Sequence, residues 1–248
     1  ADFKPLYTAP YVAHHSGFKY AYDQDHLGEA QYELIIPHAL YKLKCCFEVY
    51  PLPYPPIFIA LFVFLSYLAP LHGFLLITSM KFLVFCIYTL RFANKLAIDL
   101  KLPLFLLLVL SMPTFSDLFY SNISIWLYVC FGEFLLALLS ARPLRAGLWL
   151  GAGLLKPQFF VILIPCFLAA RKWRILSGFV ISGALISALS FAIAGEEGVL
   201  AFVSRLLNYG KYSGAYPEVM INWRMLAVSL EEFLDIRAGW TAAFVAMP

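Results

Sequence analysis

Apolar residues run through this chain in long blocks, and charge interrupts them at a few short places. No Lys, Arg, Asp or Glu occurs from Tyr54 to Met80, from Leu102 to Ser116, from Pro157 to Ala170, or from Ile175 to Gly195. A helix that crosses a bilayer needs about 20 mostly apolar residues. The longest runs reach that length, and shorter ones do so once long end residues snorkel toward water. Residues 1–53 break the pattern with six acids, four Lys and four His. The pattern predicts a polar extracytoplasmic loop head over 1–53 and a transmembrane helical domain over 54–248. Ala1 lies in a polar segment and Pro248 in an apolar run, so truncation at both ends, with a further span before Ala1, is expected.

Short cytoplasmic loops are enriched in Lys and Arg, which orients the blocks. The basic clusters are Arg91/Lys95/Lys101, Arg142/Arg145 and Arg171/Lys172/Arg174. If all three share one side, each pair is separated by an even number of crossings. Residues 102–116 and 118–141 then form a hairpin whose outer tip is Pro113–Asp117. The stretch from Arg145 to Arg171 folds back at Leu155-Lys156-Pro157-Gln158, because Pro157 lacks a backbone donor and clashes with the preceding turn. Ile175–Gly195 crosses outward and delivers Glu196-Glu197 to the side of the head. Residues 196–224 form an outer segment with a helix near 197–209, and 225–247 begin another crossing. Upstream, 73–95 cross inward, and 54–69 form a re-entrant or juxtamembrane helix ended by Pro70 and Gly73. The expected architecture is an all-α polytopic bundle of about seven crossings.

Composition agrees: 62% of residues are hydrophobic and 13% charged, against about 45–50% and about 25% in soluble domains. The net charge of +3 is scattered in short clusters beside apolar runs, with no continuous basic stripe, which excludes a nucleic-acid partner. His14-His15, His26 and His38 lack the spacing of a metal site, and no cofactor is expected.

This topology gathers polar residues on the outer face. Asp2 lies in the head, Asn122 at the outer end of a span, Lys156 and Gln158 at an outer turn, and Asn222 and Arg224 before the last crossing. A carboxylate, two permanent cations and amides at a membrane boundary suit a phosphate carried on a lipid tail. Lys and Arg hold the phosphate, and a carboxylate takes a proton from an acceptor hydroxyl. Taken singly, each residue has a plainer reading: Asp2 as one solvated acid among six, Lys156 and Arg224 as interfacial anchors. Glu133 sits mid-span, where ionisable groups are expensive, and pairing with Lys81 in a structural role is expected. A multi-span transporter or lipid flippase is the rival reading. It accounts for Glu133 and Lys81 but leaves the outer head unexplained.

Several segments resemble glycosyltransferase family 87, a bacterial group with the C-type membrane glycosyltransferase fold. They are Asp2-Phe3 running into Tyr7-Thr8-Ala9, with Gly17 and Tyr20-Ala21-Tyr22 beyond, then Tyr54-Pro55-Pro56 opening an apolar helix. The most specific is a Gly-rich span ending in Lys156-Pro157-Gln158, followed by Pro165 and Arg171-Lys172-Trp173-Arg174. Met220-Ile221-Asn222-Trp223-Arg224 is similar to a late family segment. One departure is Tyr120-Ser121, where the family often has Gly-Gln before the residue matched by Asn122. The resemblance implies an inverting transferase of the bacterial plasma membrane, with its active site facing outside. Its donor would be a polyprenyl-phosphate sugar, often mannose, its acceptor a glycan or glycolipid, and Asp2 would match the catalytic carboxylate. Lys156 and Arg224 are the candidates, from topology, for steadying the leaving phosphate.

Overall fold

A computed structural model describes residues 3–35, 49–96, 101–156 and 163–208. The described residues form helices and contain no strand. Two helices, α1 (Phe3–His15) and α2 (Gln24–Ile35), are joined by a 3₁₀ turn at Tyr20–Tyr22. The head is thus helical where it is described, and its α1 face is buried: Leu6, Tyr7, Ala9 and Val12 join Leu52, Phe58, Ile59 and Leu65 in one core. Three polar ties fix it there. The Tyr7 hydroxyl donates to Leu68 O (2.7 Å), the Tyr22 hydroxyl donates to Tyr54 O (2.8 Å), and Gln31 exchanges two hydrogen bonds with the Tyr50 backbone.

After the short α3 (Pro56–Leu61) and a 3₁₀ turn at Val63–Tyr67 comes α4 (Pro70–Lys95). Pro70 opens α4 rather than ending the preceding element, and Gly73 lies inside α4. The reason is that the first helical turn has no use for a backbone N–H, and proline's fixed φ suits it. The same physics moves the expected hairpin tip. Ser111 caps Thr114 N, Pro113 sits in the first turn of α6 (Met112–Tyr120), and the chain turns instead at Ser121–Ile123. A Ser121 φ of 56° marks the left-handed stop. Before it, α5 (Lys101–Val109) meets α6 at a 49° bend.

Beyond the turn, α7 (Ser124–Leu139) runs away from the head and α8 (Pro143–Ala152) returns beside it, ending in a 3₁₀ turn at Gly153–Leu155. The expected break at Lys156 is present. The short α9 (Leu163–Ala169) precedes α10 (Trp173–Asn208), which is interrupted at Gly195 (φ 65°, ψ −174°). The expected outer helix near 197–209 is therefore the second part of α10. Helices α4 and α10 are long and apolar enough to cross a bilayer, and the bent pair α5–α6 would make a third span if counted as one.

Helix α8 lies almost in contact with α10. A Cβ at Gly147 would overlap the Ile175 carbonyl, one at Gly178 the Leu144 carbonyl, and one at Gly151 would sit 2.5 Å from Ser182 Cβ. Gly147 and Gly151 are spaced by four, as are Gly178 and Ser182. This small-residue spacing lets membrane helices approach backbone to backbone.

Candidate functional site

Helix direction sorts the polar residues onto two ends of the bundle. At the head end, Lys19 pairs with Glu197 (3.0 Å), and the Arg205 guanidinium, buried in α10, donates from Nε to Tyr22 O (2.8 Å). A second Arg205 nitrogen also reaches Tyr22 O. These contacts put the second part of α10 beside the head, as the positions of Glu196 and Glu197 required. The Glu197 carboxylate holds the Lys19 ammonium above its usual pKa, and a hydrogen bond from His26 holds the Asp23 carboxyl below its own.

The α6–α7 turn and the end of α8 meet at this same end. Lys156 Nζ donates to Asn122 Oδ1 at 2.7 Å, and Ile123 N donates to that oxygen as well, also at 2.7 Å. Next to Asn122, Ile123 is buried in the head core, against which Trp126, Leu127 and Leu155 also pack. The contact sets a lysine Nζ and an amide side by side at the edge of this core.

The turn that presents Asn122 is held from below by an ion pair that sequence reasoning missed. Lys81 Nζ lies 2.7 Å from Asp117 Oδ2 and donates to Asp117 O at 2.7 Å, with both side chains almost wholly buried. The other carboxylate oxygen, Asp117 Oδ1, accepts from Ser124 N (2.7 Å), while Asp117 O accepts from the backbone of Ser121 and Asn122. One aspartate thus satisfies the last turn of α6 and the first donor of α7. The signal was in the sequence: each residue is a lone charge at the edge of an apolar run.

The expected pairing of Glu133 with Lys81 is not formed; Glu133 is ion-paired with Arg91 (2.9 Å) and accepts a hydrogen bond from Arg145 (2.8 Å). The level along the bundle decides this. Arg91 lies ten residues beyond Lys81 on α4, about 15 Å at 1.5 Å per residue. Glu133 lies nine residues into α7, about 14 Å below the turn on the same count. The lower pair is therefore Glu133 with Arg91, and the upper is Lys81 with Asp117. Around Glu133, Arg91, Lys95, Arg142 and Arg145 line one small cavity, and Arg142, Arg145 and Arg174 line its neighbour. The three basic clusters thus meet at the end away from the head.

Asp2, Gln158, Asn222 and Arg224 lie outside the described residues. Of the six candidate residues, the structure joins Lys156 and Asn122 and leaves the other four without a described position. Among the described residues, no group of His, Cys, Asp or Glu is arranged to hold a metal ion.

Residues 52–247 match the family described as glycosyltransferase family 87. No curated protein and no solved structure gives a significant match.

Proposed function

The chain belongs to glycosyltransferase family 87, which makes it a membrane glycosyltransferase, and on that premise we propose its substrates and the residues that act on them. The donor is a polyprenyl-phosphate monosaccharide, mannose or another hexose. The acceptor is a glycan or glycolipid, and transfer takes place on the extracytoplasmic face of the bacterial plasma membrane. The observation that carries this reading is the Lys156–Asn122 contact, 2.7 Å long, at the bundle end that also holds the helical head. It joins a permanent cation to an amide where apolar walls meet polar loops, the place a phosphate on a lipid tail would occupy.

In this mechanism Asp2 takes the proton from the acceptor hydroxyl. The oxygen then attacks the anomeric carbon from the face opposite the phosphate, which inverts that centre. The bond from the anomeric carbon to the phosphate oxygen breaks, and polyprenyl phosphate leaves with both electrons. Lys156 and Arg224 stabilise the charge that develops on that phosphate. Asn122, Gln158 and Asn222 orient the sugar and the phosphate.

The test is product formation by purified protein supplied with a labelled polyprenyl-phosphate sugar, beside Asp2→Asn. Asparagine keeps the shape but cannot take up the proton, and loss of a general base costs about 10²–10⁴-fold in rate. Turnover of Asp2→Asn near that of wild type removes Asp2 from the mechanism. Failure of every polyprenyl-phosphate sugar to yield product removes the donor class.

A further inference from the structure

The end of the bundle away from the Lys156–Asn122 pair carries a second site that the transfer reaction does not use. Arg142, Arg145 and Arg174 line a cavity of about 520 Å³ together with Ser177. Ser177 also lines an adjoining cleft of about 540 Å³, walled by Leu168, Trp173, Leu176, Phe179 and Val180. On the other side of Arg174, Arg171 and Lys172 line a third cavity of about 410 Å³. An apolar cleft thus lies beside a cavity lined by three arginines, with Ser177 common to both. Glu133 is buried and already shared by Arg91 and Arg145. Among the described residues neither Arg142 nor Arg174 has a carboxylate within ion-pair distance.

We propose that this end binds an anionic phospholipid of the surrounding leaflet, with its phosphate between Arg142 and Arg174 and one acyl chain along the Trp173–Leu176–Val180 cleft. The charge asks for an anion, and arginine binds phosphate through paired N–H donors. The adjoining cleft asks for a hydrocarbon tail on that anion. Trp173 is 62% exposed, and an amphipathic ring at the edge of an apolar span sits at headgroup level. Basic pockets between membrane helices hold lipid headgroups by this combination. On the function proposed above the donor lipid is not the occupant, because that reading places its phosphate at the Lys156 end. The 16 residues of α7 separate the two ends, about 24 Å at 1.5 Å per residue.

The experiment uses the purified full chain in neutral detergent. Phosphatidylglycerol, phosphatidylcholine, undecaprenyl phosphate and inorganic phosphate are each titrated, with binding read by native mass spectrometry and by thermal melt. Phosphatidylglycerol should bind and raise the melting temperature, while phosphatidylcholine and inorganic phosphate should do neither at equal concentration. Each basic residue contributes about 1 kcal/mol to holding an anionic lipid, so the Arg142→Gln/Arg174→Gln pair should weaken binding about 30-fold. Both side chains are exposed, and a melt without lipid checks that the double variant folds. Lys19→Gln, at the other end, should bind phosphatidylglycerol as wild type does. Equal stabilisation by phosphatidylcholine, or unchanged binding in the double variant, overturns the proposal. Binding of inorganic phosphate as tight as that of the lipid overturns the tail assignment. A clear preference for undecaprenyl phosphate overturns the choice of occupant.

Discussion

Lys156 and Asn122 are far apart in sequence yet share a 2.7 Å hydrogen bond. If Lys156 clamps the donor phosphate, Lys156→Ala should slow transfer about 10²-fold or more, the usual cost of losing one preorganised donor. Lys156→Arg should keep part of the rate, since charge survives and geometry changes. Asn122→Ala should cost less, since it removes one contact of the ammonium and leaves the charge in place. Turnover assays of purified variants matched by thermal melt decide; full activity in Lys156→Ala ends the clamp role. The Lys81–Asp117 pair beneath the turn makes a separate prediction. Lys81→Met alone strands a buried carboxylate and should destabilise the protein by about 3–5 kcal/mol. Adding Asp117→Leu should recover most of that and leave only the lost Ser124 cap, about 1 kcal/mol. Denaturant or thermal melts of the two variants test this, and a double variant no more stable than Lys81→Met refutes it. At this scale the sequence was partly legible. Folding the chain back at Pro157 brought Lys156 to the level of Asn122. The partner of Glu133 was not legible, because choosing between Lys81 and Arg91 requires the position of each residue along its helix. That depends on where α7 starts, and the start was displaced.

At the scale of elements, the displacement has one physical cause. Proline was read as a stop at Pro70 and as part of a turn at Pro113, and it opens a helix at both positions, as it does at Pro56 and Pro143. Pro157, by contrast, follows a helix that does end, at Leu155. The hydropathy pattern is the same on either side of a proline, so it cannot separate the two uses. Glycine is informative in two different ways. Gly147 and Gly178 lack room for a side chain, so Gly147→Val should push α8 from α10 at a cost of about 1–3 kcal/mol, as overpacking does. Gly195 has nothing within 4 Å of a built Cβ, yet its φ of 65° with extended ψ is a glycine conformation. Gly195→Ala should therefore destabilise by about 1–3 kcal/mol with no steric clash at all. Gly183→Ala meets only the flexible end of Leu154 and should stay near wild type. Melts of the three variants separate packing from backbone strain; a Gly195→Ala protein as stable as Gly183→Ala would remove the strain argument.

At the scale of the molecule, two ends of opposite character follow from the order of helices. α4 leads from Gly73, packed on Tyr7 of the head, to Arg91 and Lys95. α7 leads from Asn122 to Arg142, α8 leads back to Lys156, and α10 leads from Arg174 to Glu197. Even spacing of basic clusters made this arrangement legible, because each charged cluster had to return to its own side. Which end faces the cytoplasm is a prediction that rests on the positive-inside rule. In a variant without native cysteines, single cysteines at exposed Arg145 and Lys172 should resist a membrane-impermeant thiol reagent in intact cells. A cysteine at Glu197, 74% exposed at its side chain, should react, and all three should react once the membrane is permeabilised. Charge alone sets this expectation, so labelling of Lys172 with protection of Glu197 would invert the protein. The inversion would carry Lys156 and the head to the cytoplasmic face, where an extracytoplasmic acceptor could not reach them. The family assignment would survive it, since that rests on sequence. The proposed face of catalysis would not.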